Sequence, residues 1–333
     1  GAAPEVFPNT EIHWEDIETQ NLGLDLQLFK NRLGITIDKF YRHNIGMLVR
    51  TSLPGFAGWT VRDPYQESNN IDPRPYVNIG TLSNQGWEFT TSWKDKLGEL
   101  DYSIELNYTY VKNKATDLGP DSVRTSGSFM GFNNFCRTET GGDIGNFYGF
   151  EVEKIFQLSD TGLLPNGKVG ITNQPYIINS KGEIVYAQPA AQPGDFKFKD
   201  LNGDGRISDD DKTIIGNPFP NHLFGLTLNL KYKFIDFTMF WQGVYGNEIL
   251  NLTKFYGFNQ SGLYNWNTDY INNHYRDKTI IAKDANGKVW EEFSENQNAK
   301  YPRLDPTNKN GNFDRLSTFY IEDGSYLRLR NIQ

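Results

Sequence analysis

Apolar and polar residues alternate from Phe224 to Phe234. Phe224, Leu226, Leu228, Leu230, Tyr232 and Phe234 fall on one face of an extended chain, and Gly225, Thr227, Asn229, Lys231 and Lys233 on the other, because successive strand side chains point to opposite sides. The pattern predicts a hairpin of strands 222–234 and 237–246 turning at Ile235 and Asp236, with Phe237, Met239 and Trp241 sharing a face on the return. The same alternation recurs along the chain. Leu22, Leu24, Leu26 and Leu28 define a strand over 21–29, which a turn at Lys30, Asn31 and Arg32 leads into a return strand over 33–42. Trp87, Phe89, Thr91 and Trp93 define 86–94. After a short connection around Gly98, Tyr102, Ile104, Leu106, Tyr108 and Tyr110 define 102–111. A last segment, 319–332, reads as strand around a turn at Asp323 and Gly324.

Periodicity alone leaves two architectures open. A soluble antiparallel sheet buries its apolar face on a core, whereas a membrane barrel turns that face to lipid and its polar face to the lumen. The order of the connections separates them. If the strands alternate in direction, the short turns near Asn31, Gly98 and Ile235 all fall at one end. The long connections 46–83, 112–221 and 247–316 then fall at the other, provided that Phe147–Gln157 stays within its loop rather than crossing. Short turns at one end and long loops at the other is the arrangement of outer-membrane barrels, and loops beyond about 15 residues are uncommon in a compact soluble domain. The expected fold is therefore all-β, part of a large antiparallel transmembrane barrel.

Composition agrees. Aromatic residues make up 14% of the 333, with 23 Phe, 18 Tyr and 7 Trp, which suits aromatic girdles. Mean hydropathy is −0.60 and no apolar run approaches the length of a membrane helix, which says nothing against strands. A net charge of −8 argues against nucleic acid. Cys136 is the single cysteine, so neither a disulfide framework nor a thiolate metal cluster is expected.

One loop carries metal chemistry. Asp200–Asp211 reads D-L-N-G-D-G-R-I-S-D-D-D. Asp200, Asn202 and Asp204 stand at positions 1, 3 and 5 of a calcium loop, Gly205 at the sharp turn, the Arg206 carbonyl at position 7, Ser208 at position 9 and Asp211 at position 12. Hard oxygen donors suit a structural Ca²⁺ better than Zn²⁺; an acidic turn merely solvated is the plainer alternative. The long loops also carry Trp59, Tyr65, Tyr256, Tyr264, Trp266 and Trp290, aromatic faces suited to stacking on sugar rings, on a partner or on each other. No catalytic constellation emerges: the four histidines are scattered, and neither a nucleophile elbow nor a phosphate-binding loop is present.

Several segments resemble one family: NLGLDLQLFKNRLGITIDKFYR at 21–42, NIGTLSNQGWEFTTSW at 78–93, GNFYGFEVEKIFQ at 145–157, STFYIEDGSYLRLRNI at 317–332 and, most specifically, GDFKFKDLNGDGRISDDDKTIIGNPFP followed by LKYKFIDF within 194–249. The chain resembles the C-terminal barrel portion of SusC/RagA-family TonB-linked outer-membrane transporters. That resemblance implies a 22-stranded barrel around an N-terminal plug, energised through TonB, capped by a SusD-like lipoprotein and able to pair into a dimer of such units. It implies import of oligosaccharides or, as second choice, oligopeptides across the outer membrane of a Bacteroidetes-like bacterium, with no covalent chemistry. Plug and TonB box find no match here and the family continues beyond the motif at Gln333, so a fragment with about seven membrane strands is expected. A calcium-dependent adhesion module and a secreted β-rich glycoside hydrolase are the rivals from other classes; neither needs an apolar stripe on every strand.

Overall fold

A computed structural model describes residues 9–50, 75–120, 122–259, 264–276, 279–283, 286, 289–293 and 295–333. Its frame is one antiparallel sheet of seven strands in sequence order: β1 (Asp16–Leu28), β2 (Leu33–Arg50), β3 (Tyr76–Leu97), β4 (Leu100–Asp117), β5 (His222–Tyr232), β6 (Ile235–Tyr245) and β7 (Tyr326–Ile332). Each strand pairs with its chain neighbour, as the parity of short and long connections requires.

Register fixes the faces. Leu26, Ile35, Thr91, Leu106, Leu226, Trp241 and Leu329 form one continuous row across all seven strands. The row below it runs Leu28, Leu33, Trp93, Ile104, Leu228, Met239 and Ile332. Among the described residues no second layer covers this face: Leu24 is 52% exposed and Leu226 37%. The opposite face is a polar ladder. Thr36 donates to Asp25 at 2.6 Å, Thr90 to Asn107 at 2.9 Å, Thr238 to Asn229 at 2.9 Å and Asn229 to Ser103 at 3.1 Å. A sheet with one apolar face bare and one polar face cross-bonded is the wall of a membrane barrel, not half of a sandwich.

Three differences from the sequence reading have physical causes. The β5–β6 turn lies at Lys233 and Phe234, since Tyr232 pairs with Ile235. Lys233 takes φ +54°, and Phe234, read as the end of the apolar stripe, is 90% exposed at the tip. The β2 and β3 ladders run further than alternation indicates, to Arg50 and from Tyr76, with register shifts near Met47 that break the period-2 signal. In the last segment only Tyr326–Ile332 joins the main sheet. Ile321–Asp323 pairs with Glu248–Leu250 instead, and Thr318–Tyr320 is a single 3₁₀ turn.

The long connections at the other end fold into small sheets. Val123–Phe129, Phe132–Glu139, Asn146–Phe150 and Lys212–Gly216 make a four-stranded sheet, so Phe147–Gln157 does stay outside the barrel wall. Val152–Ile155 pairs with Phe196–Phe198. Phe150, Phe196, Phe198, Phe258, Tyr270, Tyr301 and Phe313 form the buried core of this region, tying 112–221 to 247–316. The molecule's apolar burial therefore sits in the loops, while the sheet keeps its apolar face bare.

Candidate functional site

The loop core positions everything that carries chemistry. Its polar centre is Asp195, fully buried. Asp195 accepts from Arg303 Nε at 2.9 Å, from Asn312 Nδ2 at 2.9 Å and from the Gln192 amide at 2.9 Å. Burial pushes the Asp195 carboxyl above its ordinary value, against the downward pull of the Arg303 guanidinium and the Asn312 amide. Arg303 also reaches Asp305 at 2.7 Å. Around this pair, Gln188, Asn310 and Asn312 satisfy the backbone of the strand 196–198: Asn312 accepts from Phe196 N–H, Gln188 accepts from Phe198 N–H, and the Gln188 and Asn310 amides both donate to the Phe196 carbonyl. The sequence reading missed this network. Asp195 and Arg303 lie 108 residues apart, and the one local signal was the Asn-rich run 308–312.

The strand 196–198 leads straight into the loop 200–211. Asp200 accepts from the amides of Gly203 and Gly205, at 2.7 and 2.8 Å. Asn202 accepts from Asp204 N–H and Asp204 from Arg206 N–H. Asp211, fully buried, accepts from Leu201 at 2.9 Å and Ser208 at 2.8 Å, closing a capping box with Ser208 over the short turn Asp209–Asp211. Gly205 takes φ +78°, and a Cβ there would sit 2.4 Å from the Tyr176 carbonyl oxygen, so only glycine fits. The loop thus has the tight turns its spacing implies, but its carboxylates serve backbone amides. Among the described residues no group of three or more His, Cys, Asp or Glu is arranged to hold a metal.

A polar cavity of about 250 Å³ adjoins this loop, lined by Tyr148, Phe150, Asp209, Lys212, Asp314 and Arg315. Arg315 lies over the Phe198 ring, 4.9 Å from its centroid, and burial lowers its basicity. Of the loop aromatics, Tyr256 packs edge-on against Tyr264, with centroids 4.6 Å apart, and also against Phe129. Tyr264 and Trp266 remain exposed. Trp59 and Tyr65 lie outside the described residues, as does the side chain of Trp290.

Bare apolar stripe, polar inner ladder and a folded cluster of long loops at one end define a segment of a transmembrane β-barrel with a surface-loop module. Comparison with known proteins agrees. A family model described as TonB dependent receptor-like, beta-barrel matches residues 1–135. TonB-dependent receptor P3 of Formosa agariphila is 30% identical over 98% of this chain and 27% of its own length. TonB-dependent receptor SusC of Bacteroides thetaiotaomicron is 26% identical over 99% of this chain and 26% of its own length. Among solved structures, the RagAB peptide transporter superposes with a TM-score of 0.61 at 19% identity, covering 97% of this chain and 29% of that one. The chain thus spans between a quarter and a third of the length of the relatives it matches. On sequence and fold together, the chain is similar to a SusC/RagA-like portion of a TonB-dependent receptor β-barrel. The relatives are receptors, not enzymes, in keeping with the absence of a catalytic motif in the sequence.

Proposed function

We propose that the chain is the loop-bearing wall of an outer-membrane importer that takes up nutrient oligomers, glycans before peptides, by a TonB-driven cycle beneath a SusD-like lipoprotein lid. The observation that carries this reading is the seven-stranded wall itself, with lipid-type residues on one face, hydrogen-bonding residues on the other, and all the long loops at one end. The loop end faces the cell exterior and the lid docks on it. Oligopeptides are the second reading, favoured by the likeness to a structure described as a peptide transporter. A calcium-dependent adhesin, the reading from another class, leaves the bare stripe without a purpose.

The test is excision of 250–310 from the full-length receptor. Tyr270, Tyr301 and Arg303 belong to the loop core, so excision dismantles the module while the strand ladder survives. Co-purification with the lipoprotein should be lost and barrel assembly retained; retained co-purification contradicts lid docking. Growth of a deletion strain on defined oligosaccharides or peptides separates the two substrate readings. Oligomer uptake that persists without TonB contradicts the energy source.

A structural calcium in the loop 200–211 belongs to the same proposal. Its support is the ligand spacing and the buried Asp211 beneath the turn. Calcium should protect 195–220 from proteolysis in the native receptor and fail to do so after Asp200→Ala with Asp204→Ala. Equal protection with and without chelator contradicts it.

A further inference from the structure

Among the described residues of the loop module, Arg315 is a half-buried cation without a counter-charge. Its guanidinium lies 4.9 Å from the Phe198 ring centroid and 5.9 Å from that of Phe150. Among the described residues its one hydrogen bond runs from Nη1 to the Asn310 carbonyl, at 2.8 Å, and no carboxylate pairs with it. Burial lowers its basicity, against the upward pull of Asp314. A charge taken out of water without a partner is costly. Elsewhere in the module that cost is met by pairing: Arg303 holds Asp195 and Asp305, Lys154 holds Asp160, and Lys254 holds Glu322. Arg315 instead lines the cavity of about 250 Å³ beside the loop 200–211.

Backbone contacts hold this cavity in shape. The Phe150 amide donates to the Leu316 carbonyl at 2.8 Å, which lays 314–316 against the strand 146–150. A Cβ at Gly149 would sit 2.5 Å from the same carbonyl oxygen, so glycine is what lets the two segments meet. Lys212 pairs across the strands with Phe150, and its Nζ lies 5.5 Å from that ring, which puts a second cation on the cavity wall. Tyr148, braced by the Arg137 guanidinium at 4.4 Å, Ser208 and Asn133 add two hydroxyls and an amide to the lining. The two lining carboxylates are placed differently from the cations. Asp209 reaches Lys212 at 2.9 Å, but its side chain is 87% exposed against 24% for Lys212, and Asp314 is exposed. Water screens charges at a rim far more than charges on an inner wall. The interior is therefore positive and the rim negative.

We propose that this cavity binds one uronic acid residue of an acidic oligosaccharide, with its carboxylate on Arg315 and Lys212 and its ring hydroxyls on Asp209 and Asp314 at the rim. A planar guanidinium beside an ammonium is matched to a carboxylate, and the Lys212 ammonium has three donors, of which Asp209 takes one. The rim acceptors select a unit rich in hydroxyl donors. That favours a sugar acid over an acidic peptide side chain, which brings the anion without the donors. A volume of about 250 Å³ takes one residue of this size. As the subsite for an imported oligomer, the cavity rests on the import reading above. No bond is made or broken.

The test is isothermal titration calorimetry of the full-length receptor in mild detergent, with trimers of galacturonate, glucuronate and mannuronate as probes. At least one trimer should bind, and its carboxyl-reduced, neutral counterpart should bind about tenfold more weakly. Arg315→Gln should weaken binding about tenfold, and Lys212→Gln, which leaves the Phe198 and Asn310 contacts of Arg315 intact, about fivefold. Lys199→Gln, at an exposed cation paired with Glu151 away from the cavity, should change nothing. No binding of any uronate trimer, equal binding of charged and reduced forms, or wild-type affinity in both cavity variants overturns the proposal. Tighter binding of triglutamate than of every uronate trimer overturns the sugar assignment. Uptake by cells separates the two readings. TonB-dependent uptake of neutral oligomers without uronate binding refutes this site alone, whereas uronate binding without any TonB-dependent uptake refutes the import reading on which its role rests.

Discussion

Substitution of Asp195 by alanine should unlock the loop module without touching the barrel wall. The side chain is fully buried and accepts three hydrogen bonds, from Arg303, Asn312 and Gln192. Removing one member of a buried ion pair costs about 3–5 kcal/mol, because the remaining charge stays buried without compensation. Arg303 keeps its bond to Asp305 at 2.7 Å and is 22% exposed, which puts the expected loss near the lower end, about 3 kcal/mol. Asp195→Asn keeps the shape but aims an amide donor at one of the donors now served, for a loss of about 1–3 kcal/mol. Hydrogen–deuterium exchange on the purified full-length receptor reads the effect. Amides 196–198, clamped by Asn312 and Gln188, should lose protection by that amount, while amides 224–230 in the wall stay as protected as in wild type. A change below 0.5 kcal/mol at 196–198, or an equal loss in the wall, would refute the claim that this pair ties two long loops into a module separate from the barrel.

Two further expectations concern the wall and the loops. Leu228→Arg, one row from the centre of the apolar band, should cost about 2–4 kcal/mol in a bilayer refolding titration, whereas Thr227→Arg on the lumen face should cost much less. Asp269 is held down to about 2, by its hydrogen bonds to Lys300 and Tyr301. Because its folded value is depressed, the contacts joining the helix Thr268–Asn273 to Lys300 are fully present above the ordinary carboxylate range. They are lost as pH falls from about 4 toward 2, and exchange at 268–273 should rise over that window. Asp269→Asn should abolish the pH dependence.

The wall was legible because its determinants are local. Alternation from Phe224 to Tyr232 and from Tyr102 to Tyr110 sets strand, face and register at once, and the parity of turns sets the order. Legibility failed where alternation is no guide. Phe234 extends the stripe in sequence but caps a two-residue turn in space. The shifts near Met47 hid the outer reach of β2 and β3. The loop core could not be read at all, since Phe150, Tyr270 and Phe313 meet without any shared period. The acidic loop was legible as spacing and as turn geometry. Its buried Asp211 was not, because burial there depends on how the surrounding loops fold over the turn.

The central claim is that one face of this sheet meets lipid and the other meets a water-filled or plugged lumen. Cysteine placed at Leu226 or at Thr227, in the full-length receptor with Cys136 replaced by serine, tests it directly in reconstituted bilayers. Leu226→Cys should react with a membrane-soluble maleimide and resist a charged one, and Thr227→Cys should show the reverse preference. Equal labelling of both positions by the charged reagent, or protection of both from either reagent, would contradict the account.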